Sequence, residues 1–344
     1  MADKPVISIV TPSFNRAASL KRAVASVLAQ TLRNFELIVV DDASTDRSAD
    51  VVRQFQDPRI RLHRFDVRRG ANPARNQGIV MARANVVTFL DSDDEFLPHR
   101  LERTMDIMWQ EPRSDVLLSS FHTWKRGRFI ASVNPDVRLG AVELEHLLMA
   151  HAVVIAGSGI TVRRELLTRC GGFTHHLRRM QDRELLLNIA GCQALSGREG
   201  ARLLAEPDWV KYQSADSISA PAHGFVEALG HLMNCHPDLM SQYGTLVRYH
   251  VARSILSQLV RGRPKAASRI YGENLRVPAF RFSRRELVQA YVRGRWTRMG
   301  LRRAVWTSAR RAHDLSAAAT QPATTLRFPD RHPDRFSIAT RRAA

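Results

Sequence analysis

The sequence predicts an α/β fold built on a mostly parallel sheet flanked by helices, and three observations carry that expectation. From residue 6 to about 120, short apolar runs alternate with helix-periodic stretches, as a parallel sheet with crossover helices demands. The runs at 35–40 and 86–90 are apolar at nearly every position and read as buried strands. Polar clusters follow the runs directly, and in an open twisted sheet ligands sit beyond the carboxyl ends of the strands.

Taken in order, Val6 to Thr11 is the first strand, and residues 17–30 place Leu20, Val24, Val27 and Leu28 on one helical face. Residues 35–40 form a second strand and 46–56 a helix, and Arg59 to Phe65 forms a third strand. Asn72-Pro73 supplies an N-cap and a proline at the first helical position for a helix reaching about Ala84. Val86 to Leu90 is the fourth strand, Pro98 opens a helix, and Val116 to Ser120 is a further strand.

Between 121 and 220 the pattern is mixed. A hairpin is expected around Arg126-Gly127-Arg128, a helix near 141–150, and a short strand at Ile160 to Val162 after Gly157-Ser158-Gly159. Arg163 to Cys170 reads as a helix stopped by Gly171-Gly172, and Gln181 to Ala190 as another with Asp182 at its beginning. Residues 224–312 are helix-like, with stops at Gly262-Arg263-Pro264 and Pro278, and from about Ser316 the loss of apolar periodicity predicts disorder. The organisation is therefore a domain over 1–220 with halves at about 5–120 and 121–220, a helical basic extension over 221–314, and a tail over 315–344.

Charge marks the same boundary. Residues 241–344 hold 22 Lys+Arg against 5 Asp+Glu, whereas residues 1–240 hold 30 against 28, so nearly all of the +19 lies in the last third. Such a segment attracts an anionic membrane surface or an acidic partner; nucleic acid is disfavoured because no recognition motif accompanies the charge. The opening Met1-Ala2-Asp3-Lys4-Pro5 carries no signal-like stretch, and Leu147 to Val162 lacks the roughly 20 uninterrupted apolar residues of a spanning helix. Cys170, Cys192 and Cys235 have neither metal-ligand nor redox spacing, and His175-His176 lacks a third ligand.

The chemistry is expected at three strand tips. Thr11, Pro12 and Asn15 follow the first strand, Asp41 and Asp42 end the second, and Asp91-Ser92-Asp93-Asp94 ends the fourth. Carboxylates two apart in extended backbone share a face, so Asp91 and Asp93 can converge on one hard cation, Mg²⁺ or Mn²⁺. Asp93 is the expected direct ligand, with Asp91 and Ser92 serving the ribose or a metal-bound water. Asp41 and Asp42 suit a base N–H or a ribose hydroxyl, and a turn role for the pair is equally open. Arg75 and Asn76 stand early in their helix, where a guanidinium near an N-terminus suits phosphate, with an ordinary surface arginine as the alternative in so basic a chain. The first turn has no glycine, which excludes both the dinucleotide fingerprint and the phosphate loop.

These motifs, in this order, resemble the family 2 glycosyltransferases of GT-A fold. The resemblance runs through Val10-Thr11-Pro12-Ser13-Phe14-Asn15-Arg16-Ala17, Val40-Asp41-Asp42-Ala43-Ser44-Thr45-Asp46, Ala74-Arg75-Asn76-Gln77-Gly78-Ile79 and Phe89-Leu90-Asp91-Ser92-Asp93-Asp94. It continues into Gly171-Gly172-Phe173 and Met180-Gln181-Asp182, and covers roughly residues 5–220. Gln181 stands where the family often has Glu, but the aspartate is kept, and the resemblance implies that Asp182 is the general base. Trp209, Tyr212 and Gln213 resemble a closing segment, with core packing as the alternative. No Gln-x-x-Arg-Trp motif of the processive synthases is present.

The resemblance implies an inverting, metal-dependent enzyme that moves one sugar from a nucleoside diphosphate donor to a saccharide or lipid-linked saccharide acceptor in cell-surface polysaccharide or glycolipid synthesis. Its expected place is the cytoplasm, peripheral to the inner face of the plasma membrane. A catalytically idle scaffold acting through its basic part and a nucleotidyltransferase are the competing classes.

Overall fold

The computed structural model describes residues 4–177, 179–196, 200–213, 224–277 and 283–317. Among the described residues, ten strands form one sheet. β1 (Ile7–Ser13), β2 (Phe35–Asp41), β3 (Ile60–Arg64) and β4 (Val86–Phe89) are parallel, in the spatial order β3-β2-β1-β4. Beyond β4 the sheet becomes mixed: β9 (Ile160–Arg163) is antiparallel to both β4 and β6 (Val116–Lys125), β10 (Ala201–Tyr212) is parallel to β6, and β5 (Glu95–Phe96) is antiparallel to β10. Two short strands hang off this path, β7 (Arg128–Ser132) on β6 and β8 (Val137–Leu139) on β10. The β6–β7 turn is the expected hairpin, with Arg126 and Gly127 at positive φ in the two-residue turn that matches strand twist.

Alternate residues of each strand feed opposite apolar layers. On one face Ile7, Ile9, Leu37 and Val39 pack with Leu20, Val24 and Val27 of α1 (Ala17–Leu28) and with Leu101, Met105 and Met108 of α4 (Arg100–Gln110). The short α2 (Ser48–Arg53) lies beside α1. On the other face Val10, Ile38, Val40, Val87 and Phe89 pack with α3 (Ala71–Met81), α5 (Ala141–Met149), α6 (Arg164–Arg169) and α7 (Gln181–Ser196). Here α3 lies directly on β1: a Cβ on Gly78 would stand 2.3 Å from a Val10 methyl carbon, so only glycine allows the approach.

The helices of the C-terminal region are α8 (Phe225–Cys235), α9 (Pro237–Val260), α10 (Pro264–Arg276) and α11 (Arg284–Ala317). Val226, Leu229, Leu232, Leu246 and Val247 join the same core layer as α5 and α7, so the extension is packed onto the sheet domain by shared apolar surface. The carbonyls ending α5 are collected by side chains from three other helices: Arg183 of α7 donates to Leu148, His250 of α9 to Met149 at 2.9 Å, and Arg298 of α11 to Ala150 at 2.7 Å and His151 at 3.1 Å. Among the described residues, no helix is long and apolar enough to cross a membrane. The tail expected over 315–344 lies outside the described residues except for 315–317, which continue α11.

Two expectations need correction. Asn72 is not an N-cap: α3 begins at Ala71 after Gly70, whose φ of 104° sets the turn, and the Asn72 amide reaches across to Thr174 O and Leu177 O. The strand β10 was not foreseen, because Glu206-Pro207-Asp208 interrupts its alternation and two register shifts absorb the break.

Candidate active site

The parallel strands deliver their tips to one end of the sheet, and backbone geometry re-aims the chain there. Asn15 and Ala43, just past β1 and β2, and Met180, just before α7, all hold φ of 50–61° without being glycine. Asparagine adopts that conformation readily, whereas alanine and methionine hold it only where the surrounding structure enforces it. Asn15 supplies part of the enforcement: its Oδ1 accepts from the Thr45 amide at 2.8 Å, and its own amide donates to Ser44 Oγ at 2.9 Å. The first two tips are thus laced together. Asn15, Arg16, Arg22, Asp46, Asp93, Tyr212 and Gln213 line a cleft of about 540 Å³, so the β1, β2 and β4 loops share one opening.

At the β2 tip the carboxylates are consumed by the fold. Asp42 accepts from the amides of Arg69 at 2.6 Å and Gly70 at 2.8 Å, which fixes the chain entering α3. Asp41 is buried, accepts from the Ser44 hydroxyl, and has Arg64 Nε 3.3 Å away. Thr11 is buried beneath them, its hydroxyl without a partner among the described residues.

At the β4 tip the carboxylates crowd one another. Asp91 closes a turn with Asp94 (Asp94 N to Asp91 O, 3.0 Å) and receives Arg75 Nη2 on Oδ1 at 2.7 Å. Burial first, and Asp91 second, raise the Asp93 carboxyl above its ordinary value; the same causes push the buried Asp94 higher still, with Asp93 adding to them. Ser158 is the hub beneath: its hydroxyl accepts from the Asp91 amide at 2.9 Å and donates to Asp94 at 2.6 Å, while its carbonyl accepts from Arg100 at 2.7 Å. Arg100, wholly buried, is neutralised by Asp208 of β10. Sequence reasoning missed Ser158, Arg100 and Asp208. A serine between two glycines was the available signal; Asp208 follows Glu206-Pro207 in a stretch whose strand character was hidden.

Arg75 points into the carboxylates, not out into the cleft. Its guanidinium also reaches Asn72 Oδ1 at 3.2 Å and lies over the Phe173 ring. Burial opposes its charge, but Asp91, Asp182 and Asp93 together raise its pKa above the usual arginine value. Asn76 uses its amide on Phe173, accepting from N and donating to O at 2.8 Å each. Through Asn72 and Asn76, α3 therefore holds the 173–177 segment that leads into α7.

That segment sets Asp182 beside the β4 tip. A Cβ on Gly157 would lie 3.4 Å from both carboxylate oxygens of Asp91 and 3.5 Å from Asp182 Oδ1, so the two carboxylates face each other across a bare glycine. Asp182 Oδ1 is buried and has no hydrogen-bond partner among the described residues. Burial raises the Asp182 carboxyl above its ordinary value against the pull of Arg75, with Asp91 adding to the rise. A carboxylate so placed is a stronger base than a solvated one and has an open acceptor.

Among the described residues, no three His, Cys, Asp or Glu side chains are grouped so as to hold a metal. Mg²⁺ does not require such a cage, since it takes one or two carboxylates and completes its shell with water and substrate phosphates. Asp93 on the cleft wall, with Asp91 close enough to raise its pKa, fits that donor set. The remaining expectations divide. Tyr212 and Gln213 line the cleft, Trp209 is a core residue stacked on Phe121, and His175 and His176 are exposed.

Residues 8–171 match the family model described as Glycosyl transferase family 2. This part of the chain belongs to glycosyl transferase family 2. An uncharacterized glycosyltransferase of Haemophilus influenzae is 28% identical over 215 residues, 62% of this chain and 67% of that protein. The Escherichia coli protein named UDP-Glc:alpha-D-GlcNAc-diphosphoundecaprenol beta-1,3-glucosyltransferase WfgD is 38% identical over 106 residues, 31% of this chain and 42% of its own length. The chain thus matches about two-thirds of the first relative and under half of the second. Among solved structures, Staphylococcus aureus TarS 1-349 in complex with UDP-GlcNAc superposes with a TM-score of 0.57 at 17% identity, covering 86% of this chain and 92% of that one. The fold is GT-A, a mixed α/β sheet flanked by helices with a helical C-terminal region.

Proposed function

We propose that this family 2 chain is an inverting glycosyltransferase that moves a single sugar from a nucleoside diphosphate donor to a hydroxyl acceptor. The observation that carries the reading is Asp182 Oδ1, buried and unpartnered, facing Asp91 across Gly157. The acceptor hydroxyl loses its proton to Asp182 while its oxygen forms the bond to the anomeric carbon. The bond from that carbon to the diphosphate oxygen breaks on the opposite face, and the nucleoside diphosphate departs. General-base assistance of this kind is worth about 10²–10⁴ in rate.

Asp91 is fixed by Arg75 and by the Ser158 hydroxyl, and so forms a rigid wall for the donor. Arg75 balances charge within the cluster and opposes the rise that burial imposes on the Asp182 carboxyl. Asp93, with Asp91, would hold a divalent cation, Mg²⁺ or Mn²⁺, which when bound supplies electrostatic stabilisation of the departing diphosphate. Asn15 and the loop it laces would border the nucleotide, with Thr11, Pro12, Asp41 and Asp42 shaping the tip from beneath.

The donor class is supported by relatives: TarS was crystallised with UDP-GlcNAc, and the WfgD name specifies UDP-Glc and a diphosphoundecaprenol-linked acceptor. A saccharide or lipid-linked saccharide acceptor, synthesis of a cell-surface polysaccharide or glycolipid, and the cytoplasmic, membrane-peripheral placement expected from the sequence belong to the same reading. Screening sugar nucleotides with Mg²⁺ or Mn²⁺ for release of nucleoside diphosphate tests it. One productive donor is the expected result. Pyrophosphate as the product would identify a nucleotidyltransferase, and no turnover with any donor and acceptor would contradict the proposal.

A further inference from the structure

The long helix α11 has two faces of opposite kind. Leu287, Tyr291, Gly294 and Arg298 recur at the spacing of one helical seam and turn inward. Tyr291 stacks on Tyr249 with ring centroids 5.6 Å apart, and a Cβ on Gly294 would stand 2.2 Å from Tyr249 Cβ. The seam is therefore a tight contact with α9, and it fixes which way the rest of the helix points.

The outward side carries a second apolar stripe. Val288, Val292, Trp296 and Met299 are 57%, 53%, 71% and 53% exposed, spaced four, four and three residues apart. At about 100° per residue they fall within one sector roughly opposite the Gly294 seam. Arg285, Arg295, Arg302 and Arg303, all exposed, lie within or beside that sector. The one acidic residue over 284–304, Glu286, projects from another side and accepts from the Ser283 amide at 2.7 Å.

Four exposed apolar side chains in a line, interleaved with arginines and without acid, match an interfacial helix in composition and direction. A second copy of the chain is a poor occupant, because two such faces would set arginine against arginine. An anionic bilayer satisfies both halves. Its headgroup–acyl boundary accepts the valines, the methionine and an indole ring, and its phosphates accept arginines, whose long stems let the charge stay at the polar level. We propose that α11 docks flat on an anionic phospholipid surface, with Val288, Val292, Trp296 and Met299 in the boundary and Arg285, Arg295, Arg302 and Arg303 on lipid phosphates. This rests on the membrane-peripheral part of the reading above and gives it a surface, while the transfer chemistry does not enter its test.

The test is flotation of the full chain with phosphatidylcholine vesicles containing phosphatidylglycerol, against vesicles of phosphatidylcholine alone. The intact chain is expected to float with the anionic vesicles, to stay behind with the neutral ones, and to be released by high salt. Val292→Ser/Trp296→Ser lowers partition about tenfold or more through lost apolar burial. Arg295→Glu/Arg303→Glu does the same through charge, each basic residue being worth about fivefold. Both variants lie on the solvent side of α11, so sugar-nucleotide turnover in free solution is unchanged, which separates failure of this surface from failure of the transferase reading. Equal flotation with both vesicle types, or flotation untouched by either variant, overturns the proposal. So does a dimer that Val292→Ser/Trp296→Ser converts to monomer while flotation stays constant.

Discussion

Two acidic strand tips that look alike in sequence do opposite things in the fold. At the end of β2, Asp42 is bound by two backbone amides, and Asp41 accepts from a hydroxyl on Oδ1 while its Oδ2, without a hydrogen bond among the described residues, is countered by Arg64 at 3.3 Å, so the charge of that tip is met within the fold. At the end of β4, Asp91, Asp93 and Asp94 crowd together, two of them with raised pKa values, and a fourth carboxylate, Asp182, is brought up against them. A satisfied tip contributes to folding. A tip of like charges at close range is costly by itself and becomes favourable when a cation or a reacting substrate enters, which is how binding sites differ physically from well-paired surfaces.

The sharpest expected contrast is in turnover. Asp182→Asn keeps the shape and removes the base, so turnover falls about 10²–10⁴-fold while donor affinity stays near wild type. Steady-state rates beside a direct binding measurement check this. Only ionised Asp182 accepts a proton, and burial raises its carboxyl, so activity is lost on acidification at a pH above the ordinary carboxylate range. An acid limb at the ordinary value would detach Asp182 from the chemistry.

Next comes stability, with the two tips in opposite order. Asp42→Ala strips two amides of their acceptor and lowers unfolding free energy by about 2–4 kcal/mol, read by denaturant titration. A mutation at the β4 tip that relieves repulsion leaves stability unchanged or raised. If Asp42→Ala instead left stability intact and abolished donor binding, the comparison would be reversed.

Gly157→Ala addresses the gap between Asp91 and Asp182. The added methyl makes ordinary contacts of 3.4–3.5 Å, so folding should tolerate it, but it occupies the space the reacting groups need. A loss of about tenfold or more in kcat/KM with little change in melting temperature is expected. Unchanged kcat/KM would place the reaction elsewhere.

The effect furthest from either tip appears only on acidification. His250 stacks on His151 at 3.8 Å and is pushed down to about 3 by burial, with Arg183, Arg298 and Arg253 also disfavouring its charge. His151 is lowered well below its usual value, again mainly by burial. The unfolded chain takes up these protons near pH 6.5 and the folded chain does not, so stability is highest above that pH and falls as pH drops, by about 1.4 kcal/mol per unit per histidine. Replacing His250 by Gln should flatten that slope in pH-dependent melting.

Much of the parallel half was legible because its signals are local. Apolar runs buried on both faces identified β1, β2 and β4, an alternating Ile-Arg-Leu-His-Arg stretch identified the half-exposed β3, and helix-periodic stretches identified α1 to α4 within a few residues. What escaped depends on partners far away in sequence. Nothing near Asn72 announces that its amide bridges to Thr174 and Leu177, and nothing near Asp42 announces Arg69 and Gly70. Ser158, Arg100 and Asp208 form one buried polar network from three separated segments, so each looked ordinary where it stood. β10 hid behind a proline and a buried acid that its neighbours accommodate only in the assembled sheet.

The most direct test is calorimetric titration of a productive sugar nucleotide into the intact chain and into Asp93→Ala, each with and without Mg²⁺ or Mn²⁺. Metal should strengthen donor binding to the intact chain and leave the variant unresponsive, with the variant as stable as its parent. Equal metal enhancement in both proteins would contradict the account.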